Sequence, residues 1–113
     1  MEVSFRTHKL QRLCNSEKDL RRVHGPRMAE LIRECLDDLH ALENLHDIKK
    51  LPHHRCHELK GDRRGVFSMD LEHPYRLLFV PDHDPLPELP AGGIDWAEVS
   101  AIEIQGVEDT HGR

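Results

Sequence analysis

The chain has 113 residues, one third of them charged, and a formal charge of −5 from 16 basic and 21 acidic side chains. That length has room for one domain and one modest core, and with only one Trp and one Tyr the core must be mainly Leu, Ile and Val. No apolar run is long enough to span a membrane, the opening Met-Glu-Val-Ser-Phe-Arg lacks a signal peptide's apolar stretch, and three irregularly spaced cysteines argue against a disulfide framework; a cytoplasmic protein without membrane contact is expected.

Residues 2–6 alternate Val3 and Phe5 with polar side chains and read as a short first strand. A short helical piece follows from Thr7 or His8 through Leu10 and Leu13. Ser16-Glu17-Lys18-Asp19 has the form of an N-cap with acid in the first turn and opens a second helix toward His24. Gly25-Pro26 closes that helix and starts the next. Over 27–43, Met28, Ile32, Cys35, Leu39 and Leu42 recur at four- and three-residue steps, with Leu31 and Leu36 widening the stripe. Cys35 on this stripe reads as a small core residue. Asn44 caps a further short turn that Pro52 stops.

Residues 56–80 read as a meander. Phe67, Met69 and Leu71 alternate with Val66, Ser68 and Asp70, as in a half-buried strand. From Tyr75 to Val80 the run is apolar on both faces except for Arg76, the pattern of a central strand. Gly61-Asp62-Arg63-Arg64-Gly65 suits a hairpin loop, and His73-Pro74 makes the second reversal. Residues 81–95 hold four of the seven prolines and two adjacent glycines, so no regular element is expected there. Residues 99–107 alternate through Ile102 and Ile104 as a last strand. The expected fold class is α+β, with the N-terminal helices packed on one face of a small, mainly antiparallel sheet.

The charge is segregated along the chain. Residues 49–64 carry a local balance of +4 and residues 30–47 one of −5, which permits a basic face on an acidic protein. The acidic total is by itself poor support for a nucleic-acid partner. An arginine in the apolar strand needs an anion, and Asp70 or Glu103 would serve Arg76 as internal partners. His53, His54, Cys56 and His57 are close in sequence, but their spacing matches no established ligand motif, and Cys56 and His57 would point to opposite faces of a strand. No metal or other cofactor is therefore expected. Ser68 and the cysteines have no recognisable elbow or triad signature.

Cys56-His57-Glu58-Leu59-Lys60-Gly61-Asp62-Arg63-Arg64-Gly65, then Phe67-Ser68, then Tyr75-Arg76-Leu77-Leu78-Phe79, and finally Glu108-Asp109-Thr110-His111 resemble, in that order, the motifs of HigB toxins in the RelE/ParE superfamily. The resemblance implies a RelE-like fold over residues 1–113 and a ribosome-dependent endoribonuclease that cuts mRNA in the ribosomal A site. It also implies a cognate antitoxin, expected to be a helix-turn-helix protein. His57 falls on the family's strand histidine, Lys60 on its Lys-Gly position, Arg76 on its strand arginine, and Asp109 and His111 on the flanks of Asp-Tyr-His. Thr110 departs from the family's tyrosine.

RNA cleavage without metal needs a base for the 2′-hydroxyl, an acid for the leaving 5′-oxygen, and cations for the phosphorane charge. Histidines serve the first two and Lys or Arg the third. His57, His111, Lys60, Arg63, Arg64 and Arg76 supply that inventory, the first pair as acid and base with Arg76, the others as RNA-binding cations. Two alternatives stand beside this expectation. One is a degenerate, non-catalytic toxin that still binds antitoxin; the other is a ParE-like gyrase poison, which would need neither histidine.

Overall fold

Three side-chain caps set the helical half of the chain. Thr7 Oγ1 accepts from the Leu10 amide at 3.1 Å, Ser16 Oγ from Asp19 at 3.1 Å, and Asn44 Oδ1 from Asp47 at 3.2 Å, each relieving an amide the first turn leaves unpaired. In the computed structural model, which describes residues 1–109, α1 spans His8–Cys14, α2 Glu17–His24 and α3 Pro26–Ala41. Gly25 joins the last two at φ 85°, a backbone conformation that side chains with a Cβ resist, and Pro26 takes the first turn of α3. The Asn44 cap opens a 3₁₀ turn, Leu45–Lys50, where the sequence suggested only a short turn.

Five strands follow the expected order: β1 Glu2–Phe5, β2 His57–Glu58, β3 Phe67–Asp70, β4 Tyr75–Pro81 and β5 Ala101–Asp109. They form one sheet in the order β1-β5-β4-β3-β2, so β4 is central as its two-sided apolar run predicts. β1 runs parallel to β5 and every other pair is antiparallel. The class is α+β with a mixed, mainly antiparallel sheet.

Register divides the side chains between the two faces. Phe67 stands opposite Phe79, and Phe79 opposite Ile104; Met69 stands opposite Leu77. These residues are fully buried and pack with Met28, Ala29, Ile32, Cys35, Leu36 and Leu39 of α3. Leu31 and Leu42 of the predicted stripe are only partly buried beside that core. α3 ends at Ala41, because Leu42 already has extended dihedrals. Full burial of each large aliphatic side chain contributes roughly 1.5–3 kcal/mol before the entropy of ordering it.

The segment after β4 has more order than its prolines and glycines suggest. His83 Nε2 accepts from the amides of Ser100 at 3.0 Å and Ala101 at 3.3 Å, closing the base of the loop. Glu88 and Ile94 form an isolated antiparallel bridge, with Leu89 N–H donating to the Gly93 carbonyl at 2.9 Å. A 3₁₀ turn, Trp96–Glu98, then sets Trp96 edge-on to Phe67 at 5.1 Å between centroids. The tether is an aromatic contact with the core, supplemented by Lys49 Nζ 5.0 Å above the indole. Among the described residues no helix is long and apolar enough to cross a membrane.

Candidate functional site

The sheet face turned away from the helical core carries the polar side chains of the meander. His57 on β2 is in register with Ser68 on β3, Ser68 with Leu78 on β4, and Leu78 with Gly106 on β5. One step along, Asp70, Arg76 and Glu108 form a second row across β3, β4 and β5. Directly paired residues project to the same face, so both rows share it. The ladder shifts register between Leu78 and Phe79, and Gly106, at φ 142°, lies beside that irregularity.

The 3₁₀ turn Gly61–Arg63 rises at one end of this face. Gly65 N–H donates to Glu58 Oε2 at 2.9 Å, and Leu59 N–H to the Val66 carbonyl at 2.8 Å, which close the hairpin. Between turn and sheet is an open cleft of about 600 Å³ lined by His57, Leu59, Lys60, Gly61, Asp62, Arg63 and Arg76. Four of the expected site residues thus meet in one concavity: His57, Lys60, Arg63 and Arg76. Arg64 is exposed on the same turn but does not line the cleft. Asp109 ends β5 opposite Tyr75. Thr110 and His111 lie outside the described residues.

His57 is exposed, and its Nδ1 is 3.0 Å from the Arg55 carbonyl. A carbonyl only accepts, so Nδ1 carries the proton and Nε2 is the atom left to exchange one. That Nε2 faces Ser68 Oγ at 3.5 Å, and Ser68 is fully buried beneath it.

The arginines are held by carboxylates. Arg63 makes a bidentate pair with Glu108, Nη1 to Oε1 at 3.0 Å and Nη2 to Oε2 at 3.1 Å, and this hydrogen-bonded carboxylate raises the guanidinium pKa further. Arg76 bonds Asp70, the first of the two partners its strand position suggested. Arg55 Nε meets the other oxygen of Asp70 at 3.2 Å. Among the described residues Lys60 is the cleft cation without an ion pair. Arg55, Asp70 and Glu108 therefore decide how much positive charge the cleft presents. Sequence reasoning gave Arg55 and Glu108 no role; their charge was visible, but their partners depend on strand register and on a left-handed Arg55 at φ 49°.

That same Arg55 conformation separates the histidines. His54 is buried and turned to α3, with Nε2 at 2.6 Å from Asp38 Oδ2, while His57 stands on the outer face of the sheet. His53, His54, Cys56 and His57, close in sequence, are therefore not gathered at one point. Cys35 and Cys56 are desolvated, which pushes both thiols up to about 12, so neither is a thiolate nucleophile near neutrality. In comparison with known proteins, no family model matches the chain and no curated protein matches it.

Proposed function

We propose that the protein is a HigB-type toxin with a RelE-like fold, a cytoplasmic ribosome-dependent mRNA endoribonuclease restrained by a helix-turn-helix antitoxin. The observation that carries this reading is the convergence of His57, Lys60, Arg63 and Arg76, from two strands and the turn between β2 and β3, on one cleft. His57, Lys60 and Arg76 are positions where the motif resemblance puts functional residues, and Arg63 adds a further cation beside them. A phosphate in the cleft would meet Lys60 directly and the Arg63 and Arg76 forks once their carboxylates yield. His57 Nε2 takes the proton of the 2′-hydroxyl as that oxygen attacks phosphorus. The bond to the 5′-oxygen breaks, an acid protonates the leaving oxygen, and a 2′,3′-cyclic phosphate remains. His111 is assigned the acid.

One feature favours a second reading. With Arg63 and Arg76 both engaged by internal carboxylates, the same surface suits an antitoxin-binding module that no longer cuts RNA. Single-turnover cleavage of mRNA on programmed ribosomes separates the two. The enzyme reading expects wild-type cleavage that His57→Ala slows by roughly two orders of magnitude, the scale of a lost acid or base, with antitoxin binding kept. Wild-type protein that binds antitoxin but never cuts establishes the second reading.

A further inference from the structure

On the opposite side of the sheet from the cleft, four side chains converge that the proposed chemistry does not use. Glu34 and Asp38 lie one turn apart on α3, the i,i+4 spacing that puts both carboxylates on one helix face. His53 and His54 come from the 3₁₀ turn Pro52–His54, with their rings 4.1 Å apart between centroids. In an extended strand consecutive side chains diverge; in this turn both imidazoles reach the same helix. His53 Nε2 is 3.4 Å from Glu34 Oε1, and His54 Nε2 is 2.6 Å from Asp38 Oδ2. One ligand atom from each of the four lies within 4.8 Å of every other.

We propose that Glu34, Asp38, His53 and His54 form a structural site for a divalent transition metal of the zinc class. Two imidazole nitrogens and two carboxylate oxygens are a borderline donor set that suits Zn²⁺, and two carboxylates neutralise its charge. Around a tetrahedral zinc with bonds near 2.0 Å, neighbouring donor atoms stand about 3.3 Å apart. The His53–Glu34 separation already matches that spacing, and the His54–Asp38 pair needs to open by less than an ångström. The other nitrogen of His54, Nδ1, is 3.7 Å from Cys35 Sγ in the core, a contact that fixes the ring with Nε2 toward the acids. The nearby Arg33 reaches Asp37, at 3.8 Å, and leaves Glu34 and Asp38 to the histidines. Metal here ties the 3₁₀ turn to α3 immediately before Arg55, which grips Asp70, and before His57. The site orders the approach to the cleft whatever chemistry the cleft performs.

The test uses the full chain stripped of metal with a chelator, with Zn²⁺ and then Co²⁺ as probes. Calorimetry is expected to show one equivalent of Zn²⁺ bound with a dissociation constant near micromolar or tighter, and excess Zn²⁺ to raise the melting temperature by several degrees. Glu34→Gln and His53→Gln change half-exposed side chains and should each weaken Zn²⁺ at least about tenfold. His46→Gln, at an exposed histidine elsewhere, should leave binding unchanged. The Co²⁺ form should show visible bands of a four-coordinate centre without thiolate charge transfer. The proposal fails if Zn²⁺ binding is absent or non-stoichiometric, or if Glu34→Gln and His53→Gln bind as wild type. A thiolate charge-transfer band, which would bring Cys35 or Cys56 into the ligand set, also overturns it.

Discussion

Arg63 and Glu108, 45 positions apart, close one end of the cleft by a two-bond clasp between the turn after β2 and the last strand. Both side chains are about 40% exposed, so solvent screens the pair and its contribution to stability is small. Its larger effect is on the charge that an incoming phosphate encounters. Glu108→Gln removes the anion while keeping the shape. Ribosome affinity should then rise at low salt, and the log–log salt slope should steepen by about one, the signature of one more cation available to phosphate. Titrations of ribosomes across a salt series measure it. An unchanged slope would mean that Arg63 never faces RNA.

Arg76→Gln addresses the second clasp. Asp70 keeps Arg55 when Arg76 is lost, so that carboxylate is not left alone. The stability cost should stay within about 1 kcal/mol, as for other partly exposed pairs. Under the ribonuclease reading the same change abolishes toxicity, since glutamine has neither the charge nor the fork for phosphate. Melting curves and growth arrest on induction read the two effects separately. A variant that loses its fold together with its toxicity would make Arg76 a structural residue.

The parts of this fold legible in the sequence are those set by neighbours along the chain. Ser16, Asn44 and Gly25-Pro26 announce helix boundaries because caps and φ preferences are local, and the Phe67–Met69 alternation and the Tyr75–Val80 run announce a β-hairpin with a buried partner. The hidden parts depend on residues far apart. Trp96 orders the proline-rich loop only because Phe67 lies under it, and no local pattern encodes that contact. The cleft is similar: His57 and Arg76 are marked by motif, and Asp70 was a candidate partner of Arg76, but the Glu108 carboxylate on Arg63 follows from where β5 lies beside β4. His53 and His54 drew notice only together with Cys56 and His57, and their partners Glu34 and Asp38 sit well earlier in the chain, inside a helix.

Cys14 predicts how stability changes in alkali. Burial raises its thiol pKa above the ordinary value of a free thiol, against a smaller opposing effect of Arg33. Below that value both folded and unfolded chains hold the proton and the stabilising contribution is complete. As pH climbs past it the unfolded chain ionises first, binds fewer protons than the native one, and stability falls until the native thiol ionises too. Cys35 and Cys56 act in the same direction. Urea midpoints should therefore drop between about pH 8 and pH 10, and Cys14→Ala should make that drop shallower without removing it. The Arg33 bond to the Cys14 carbonyl at 3.1 Å survives the change, so the comparison isolates the thiol. An equal drop in both proteins would sink the assignment.

Ser68 gives the finest test of how His57 is aimed. Its hydroxyl is fully buried under Nε2, the atom assigned to proton transfer, at the outer limit of a hydrogen bond. The bond from Nδ1–H to the Arg55 carbonyl already fixes the tautomer, and Ser68 is assigned the positioning of the ring. Ser68→Ala deletes one weak contact of the kind worth about 1 kcal/mol, which corresponds to a loss in cleavage rate of up to about tenfold. Ser68→Thr keeps the hydroxyl and should restore most of the rate if its methyl fits between β2 and β4. Single-turnover rates of the two variants against wild type measure the effect. An unchanged Ser68→Ala rate would leave Ser68 a packing residue beneath the imidazole.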